Sequence, residues 1–144
     1  MYQTVQSLHS TLAYIALAVL ILAVINAIYG LLNKKLFASK DLRLSLFALI
    51  FCHIQLVIGL ILYFISEKGM KAFEIEGAMK NSGLRLTMLE HPLINIIAIV
   101  LITMGWSKHK KQESQNGKFK KIAVFYTLGL LLILSRIPWT SWLA

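Results

Sequence analysis

The sequence predicts an all-α integral membrane protein, an antiparallel four-helix bundle with both termini outside. Three observations carry this reading. The 144 residues are 58% hydrophobic with a mean hydropathy of +0.70, well above what a soluble domain shows. Four apolar stretches, about 10–32, 44–65, 86–106 and 122–142, each approach the roughly 20 residues that a membrane-spanning helix needs. Basic residues collect in alternate connections between those stretches, as they do in multi-pass proteins. One domain over 1–144 accommodates all four spans.

The charges also bear on function. Lys34, Lys35, Lys40 and Arg43 occupy the first connection, and Lys108, Lys110, Lys111, Lys118, Lys120 and Lys121 the third. The second is balanced, with Lys68, Lys71, Lys80 and Arg85 against Glu67, Glu74, Glu76 and Glu90. By the positive-inside rule, loops one and three are cytoplasmic, and both termini with the second loop lie outside. The net charge of +9 then reports topology and attraction to anionic lipid, not nucleic acid. A lone Cys52 inside the second span allows no disulfide within the chain and reads as a small apolar filler. No CxxC, CxxCH, HExxH, P-loop or GxSxG pattern occurs, so soluble-style enzyme chemistry finds no support.

In chain order, residues 1–8 carry no Lys or Arg, so the first span reads as retained rather than as a cleaved signal. Along it, His9, Ala13, Ala16, Leu20, Ala23, Ala27 and Gly30 recur at alternating steps of four and three. This seam of mostly small residues lets a neighbouring helix approach closely. Asn26 and Tyr29 are expected to hydrogen-bond locally. In the second span His53 and Gln55 stand two apart and point to opposite sides. The line Leu46, Leu49, His53, Leu56, Leu60 is taken as the inward one. The outer loop, 66–85, contains Lys71–Lys80, which predicts a short amphipathic helix. In the third span Thr87, His91 and Asn95 share a face at steps of four. The third connection, Ser107–Lys118, reads as a solvated turn with an exposed His109. The fourth span puts Ile122, Phe125, Gly129, Leu132 and Arg136 on one seam and ends in the interfacial anchors Trp139 and Trp142.

Ionisable groups inside a span usually face the bundle interior. At about 1.5 Å rise per residue, His53 lies roughly 15 Å above the inner interface and His91 and Arg136 roughly 22 Å. His9 lies roughly 34 Å up, at the outer edge. Glu90 shares a level with Arg136 and is expected to pair with it. Two histidines on facing helices of such a bundle are what a b-type haem requires, one axial nitrogen from each. His53 and His91 are the nearer match in depth, with His9 the substitute for either. Arg85 and Arg136 suit the propionates, and Glu90 suits orienting His91 or relaying a proton. Two other readings use the same residues. One is a transition-metal site at the outer face from His9, His91 and Glu90. The other is a haem-free accessory subunit of a larger membrane complex.

Several segments resemble a family: Leu8-His9-Ser10, the run from His53 to Tyr63, Arg85 with Glu90-His91, Gly105, and Ile137-Pro-Trp139. Together they are similar to small bacterial four-span membrane proteins labelled cytochrome b-like. The resemblance covers nearly the whole chain and implies a haem-binding electron-transfer protein of the cytoplasmic membrane. The resemblance supplies neither donor nor acceptor; on the haem reading, electrons are expected to pass between a quinone of the quinol pool and an outward-facing redox partner protein. Unlike larger di-haem cytochromes b, this chain lacks two matched histidine pairs, which leaves at most one haem. The sequence leaves open whether it acts alone, as a homo-oligomer or as a complex subunit.

Overall fold

Long apolar runs free of internal proline have one low-energy form in lipid, the helix, which satisfies every backbone group within the segment. The structure is a computed structural model that describes residues 1–142. Among the described residues no strand occurs. Helix α1 spans Tyr2–Leu32 and α2 Ser39–Ile65. Short helix α3 (Ser82–Arg85) runs through a π-helical turn, Leu86–Glu90, into α4, His91–Lys110. Helix α5 covers Gln115–Ser135, and α6 is the single turn Trp139–Trp142. Three segments are long and apolar enough to cross a membrane: Tyr2–Leu32, Ser39–Glu74 and Ser82–Lys110.

Helix α1 packs on α2 and α5, and α4 packs on α5 and α2, which gives the order α1, α2, α4, α5 around the bundle. One end carries the basic connections; the other carries the loop between α2 and α3. Packing is closest toward the basic end, where Leu20, Ala23, Ala27, Ala48, Cys52, Ile102, Ile122 and Tyr126 form one buried cluster. Small residues make that approach feasible. A Cβ on Gly129 would stand 2.6 Å from Ile102 Cγ1, and one on Gly105 2.6 Å from Phe125 Cβ, so α4 and α5 meet across the two glycines. The polar groups here answer each other. Tyr126, fully buried, donates from its hydroxyl to the carbonyl of Ser45 at 2.8 Å. Asp41, 3% exposed, accepts from Asn26 Nδ2 at 2.9 Å and from the N–H of Ala38 at 2.8 Å. Asn26 therefore ties α1 to the start of α2 rather than bonding locally.

The inward seam of α1 is the expected one, with Ala16, Leu20, Ala23, Ala27 and Gly30 buried. Other expectations are corrected. The most buried line of α2 is Asp41, Ser45, Ala48 and Cys52; of the expected leucine line, Leu49 and Leu56 pack against the cluster from its edge and His53 is exposed. In lipid, leucines gain nothing by turning inward, whereas small residues gain close helix contact. The fourth stretch is not one helix to residue 142: α5 stops at Ser135, and Pro138 holds the chain before it extended. Its inward face also turns slightly, so that Tyr126, not Phe125, is buried beside Ile122 and Gly129. The outer loop forms two 3₁₀ turns, Met70–Glu74 and Ala78–Lys80, separated by Gly77 at φ 76°, where an amphipathic helix was expected. The third connection shrinks to residues 111–114. His109 is 1% exposed, donates from Nδ1 to the carbonyl of Trp106, and packs between Phe37 and Trp106.

Replacing Gly129 by Val should overpack the α4–α5 crossing and lower stability by about 1–3 kcal/mol. Thermal unfolding in detergent reads this as a lower midpoint; an unchanged midpoint would contradict the close crossing.

Candidate functional site

At the loop end the helices part around a cavity of about 600 Å³. Ala13, Ala16, Leu17, Leu20, Leu56, Leu60, Ile99 and Ile133 give it apolar walls, and His9, Gln55, Lys68, Thr87, His91 and Asn95 bring polar atoms to it. An apolar enclosure with a few convergent polar groups is the usual form of a ligand site.

The backbone on one side of the cavity is irregular, and proline explains part of it. Pro92 has no N–H for the carbonyl of Met88 one turn back. The hydroxyl of Tyr63, from the end of α2, donates to that carbonyl instead at 2.8 Å. The π turn just before it closes its hydrogen bonds at five residues, so side chains five apart stack. Arg85 Nε accordingly lies 3.0 Å from Glu90 Oε2. Arg136 Nε lies 3.8 Å from the other carboxylate oxygen, so Glu90 joins both arginines. The expected partnership of Glu90 with Arg136 is present, and Arg85 adds to it.

His91 stands on the first turn of α4. Its Nδ1 donates to the carbonyl of Arg136 at 2.8 Å, a carbonyl freed where α5 ends. Asn95 Nδ2 donates to the backbone carbonyl of His91 at 2.6 Å. With Nδ1 so engaged, Nε2 is the nitrogen left without a proton, the arrangement typical of a metal-ligating histidine. Across the cavity is His9 of α1. The two ring centroids are 6.4 Å apart with planes at 83°. His9 Nδ1 is buried without a hydrogen-bond partner. Gly59 makes room for this ring, since a Cβ there would stand 3.0 Å from His9 Cε1. Gln55 Nε2 donates to the backbone carbonyl of His9 at 2.7 Å and fixes α1 against α2 at this level. Above them Trp142 donates from Nε1 to Ser10 Oγ at 2.7 Å and stacks on Tyr14.

The structure thus brings His9 and His91 together and leaves His53 out. His53 is exposed on the outer surface of α2, where Nδ1 donates to the carbonyl of Leu49 at 2.8 Å and Nε2 lies 3.3 Å from Thr103 Oγ1. The expected pairing of His53 with His91 is corrected, and Gln55 holds the inward place given to His53. Arg85 and Arg136 are absent from the cavity wall, occupied with Glu90 and with the carbonyls of Met79 and Ser135. Glu90 is likewise held by the arginines, and among the described residues no cluster of three His, Cys, Asp or Glu side chains could hold a metal ion. The cation at the wall is Lys68. Gly59, Tyr63 and Lys68 were missed. The line Cys52, Gln55, Gly59, Tyr63 in steps of three and four was the available signal for the first two.

Comparisons with known protein families, with curated proteins and with solved structures find no match to this chain.

Tyr63→Phe should leave the Met88 carbonyl without a donor and cost about 1 kcal/mol. Amide exchange in residues 86–92 should quicken while that of α1 stays unchanged. Equal exchange in both proteins would show that the π turn does not depend on Tyr63.

Proposed function

We propose that the chain is a membrane-embedded haem protein, in which His9 and His91 would hold the iron of one b-type haem in the loop-end cavity. The observation that carries this reading is the pair itself: two imidazoles 6.4 Å apart at the wall of an apolar cavity. The donor set suits iron in a porphyrin, which needs only two protein nitrogens. His91 is held in one tautomer by Arg136, and His9 has a buried Nδ1 that no other protein group satisfies. Lys68 is placed to meet a carboxylate of the group. Bound there, a haem supplies one-electron chemistry, with a quinone or a protein as its exchange partner. The apolar walls exclude water, and burial with the two imidazoles sets the potential.

In this reading all four long helices cross a bacterial inner membrane, with the basic end in the cytoplasm and both termini outside. The apolar part of α5, residues 122–135, spans about 21 Å at 1.5 Å per residue, short of the ~30 Å hydrocarbon core. Ile137, Pro138 and the tryptophans of α6 complete that crossing at the interface. A second reading, a haem-free accessory subunit, is favoured by exposed His53. A polar ring on a lipid-facing surface suits contact with another membrane protein.

The absorption spectrum of the detergent-purified, haem-supplied protein, before and after dithionite, separates the two. Sharp reduced α and Soret bands are expected in the wild type and in His53→Ala. They should be lost or shifted in His9→Ala and His91→Ala. Bands retained in both of those variants, or abolished in His53→Ala alone, would overturn the ligand assignment. A flat spectrum from folded wild type would favour the accessory subunit.

A further inference from the structure

The second cavity lies at the basic end and is independent of the haem reading. It measures about 290 Å³ and sits where the α1–α2 connection, the end of α4 and the start of α5 converge. Phe37, Ala38, Ser39, His109, Lys110 and Lys118 line it. Its charge is one-sided. Neither Lys110 nor Lys118 has an acid within 4.0 Å among the described residues, where the ion pairs involve only Lys71, Arg85 and Arg136. Lys118 makes only a long bond, 3.4 Å, to the carbonyl of His109. Asp41 caps the same helix start, accepting from the N–H of Ala38 at 2.8 Å and from Asn26 Nδ2 at 2.9 Å, which leaves the two lysines as the charges without an acid partner among the described residues.

Two further donors converge. Helix α2 begins at Ser39, and the first N–H groups of a long helix point out of its end and favour an anion. His109 is 99% buried by its 1% exposure, yet lines the cavity. With Nδ1 committed to Trp106, its Nε2 is left without a partner among the described residues.

We propose that this cavity binds one phosphate group, presented by the headgroup of an anionic membrane lipid. Lys110 and Lys118 supply charge, and Ser39 with the start of α2 supplies hydrogen bonds. The His109 ring forms the floor. The lipid is favoured over a soluble phosphate because the cavity adjoins Phe37 and Trp106 where the apolar helices end, at headgroup depth. Basic pockets between membrane helices on the cytoplasmic side suit such headgroups.

The test is thermal unfolding of the full chain in neutral detergent, titrated with phosphatidylglycerol, with phosphatidylcholine, or with inorganic phosphate. Phosphatidylglycerol should raise the midpoint and phosphatidylcholine should not. In the double variant Lys110→Gln, Lys118→Gln the half-saturating concentration should rise roughly 30-fold, from about 1 kcal/mol per lysine. Lys34→Gln, Lys35→Gln removes the same charge from the neighbouring loop and should shift it far less. Equal stabilisation by inorganic phosphate would reassign the site to a soluble anion and overturn the lipid. No stabilisation of the wild type, or equal loss in both double variants, would overturn the site.

Discussion

The hydrogen bond from His91 Nδ1 to the carbonyl of Arg136, 2.8 Å long, joins the first turn of α4 to the first residue beyond α5 at the cavity end of the bundle. Both groups are ones that apolar surroundings cannot satisfy. The carbonyl is freed because α5 has ended, and the imidazole stands at the start of an apolar helix. Joining them removes both deficits, sets the tautomer of His91 and brings Arg136 within reach of Glu90. Tyr63 does the same for the carbonyl that Pro92 leaves open. The irregular backbone at this end is therefore held by side chains from other helices. Non-helical backbone at membrane depth is tolerated only in that circumstance.

The two ends of the bundle differ because their small residues differ in use. Toward the basic end, Ala23, Ala27, Ala48 and Gly105 let helices close on one another, and the space between them fills. Toward the loop end, Ala13, Ala16 and Gly59 also face inward, but His9 and His91 oppose them and the helices stand apart around a cavity. One rule, small residues inward, gives contact at one end and room at the other.

The helical class, the long apolar segments, the inward face of α1 and the polar stripe Thr87, His91, Asn95 were legible in the sequence. Each repeats over several turns or pairs with a charge pattern. The inward face of α2 was not. Leucines and a histidine made one stripe and small residues another, and hydrophobicity cannot rank them when the solvent is also apolar. His109 was misplaced because a lysine-rich neighbourhood looks solvated, while its burial depends on Phe37, which arrives from 72 residues earlier in the chain. The stop of α5 at Ser135 was partly legible in Pro138. The pairing of His9 with His91 stood in the sequence only as the substitute for His53 and in the outer-face metal site, because depth counted along straight helices ignores the π turn before His91.

The account turns on which face of α2 looks inward, and hence on which histidine meets His91. In a Cys52→Ala background, His9→Cys with His91→Cys and His53→Cys with His91→Cys can each be treated with a short bifunctional thiol reagent. The account predicts rapid intramolecular bridging of residues 9 and 91 and none between 53 and 91. Bridging of 53 with 91, with residue 9 unreacted, would contradict it.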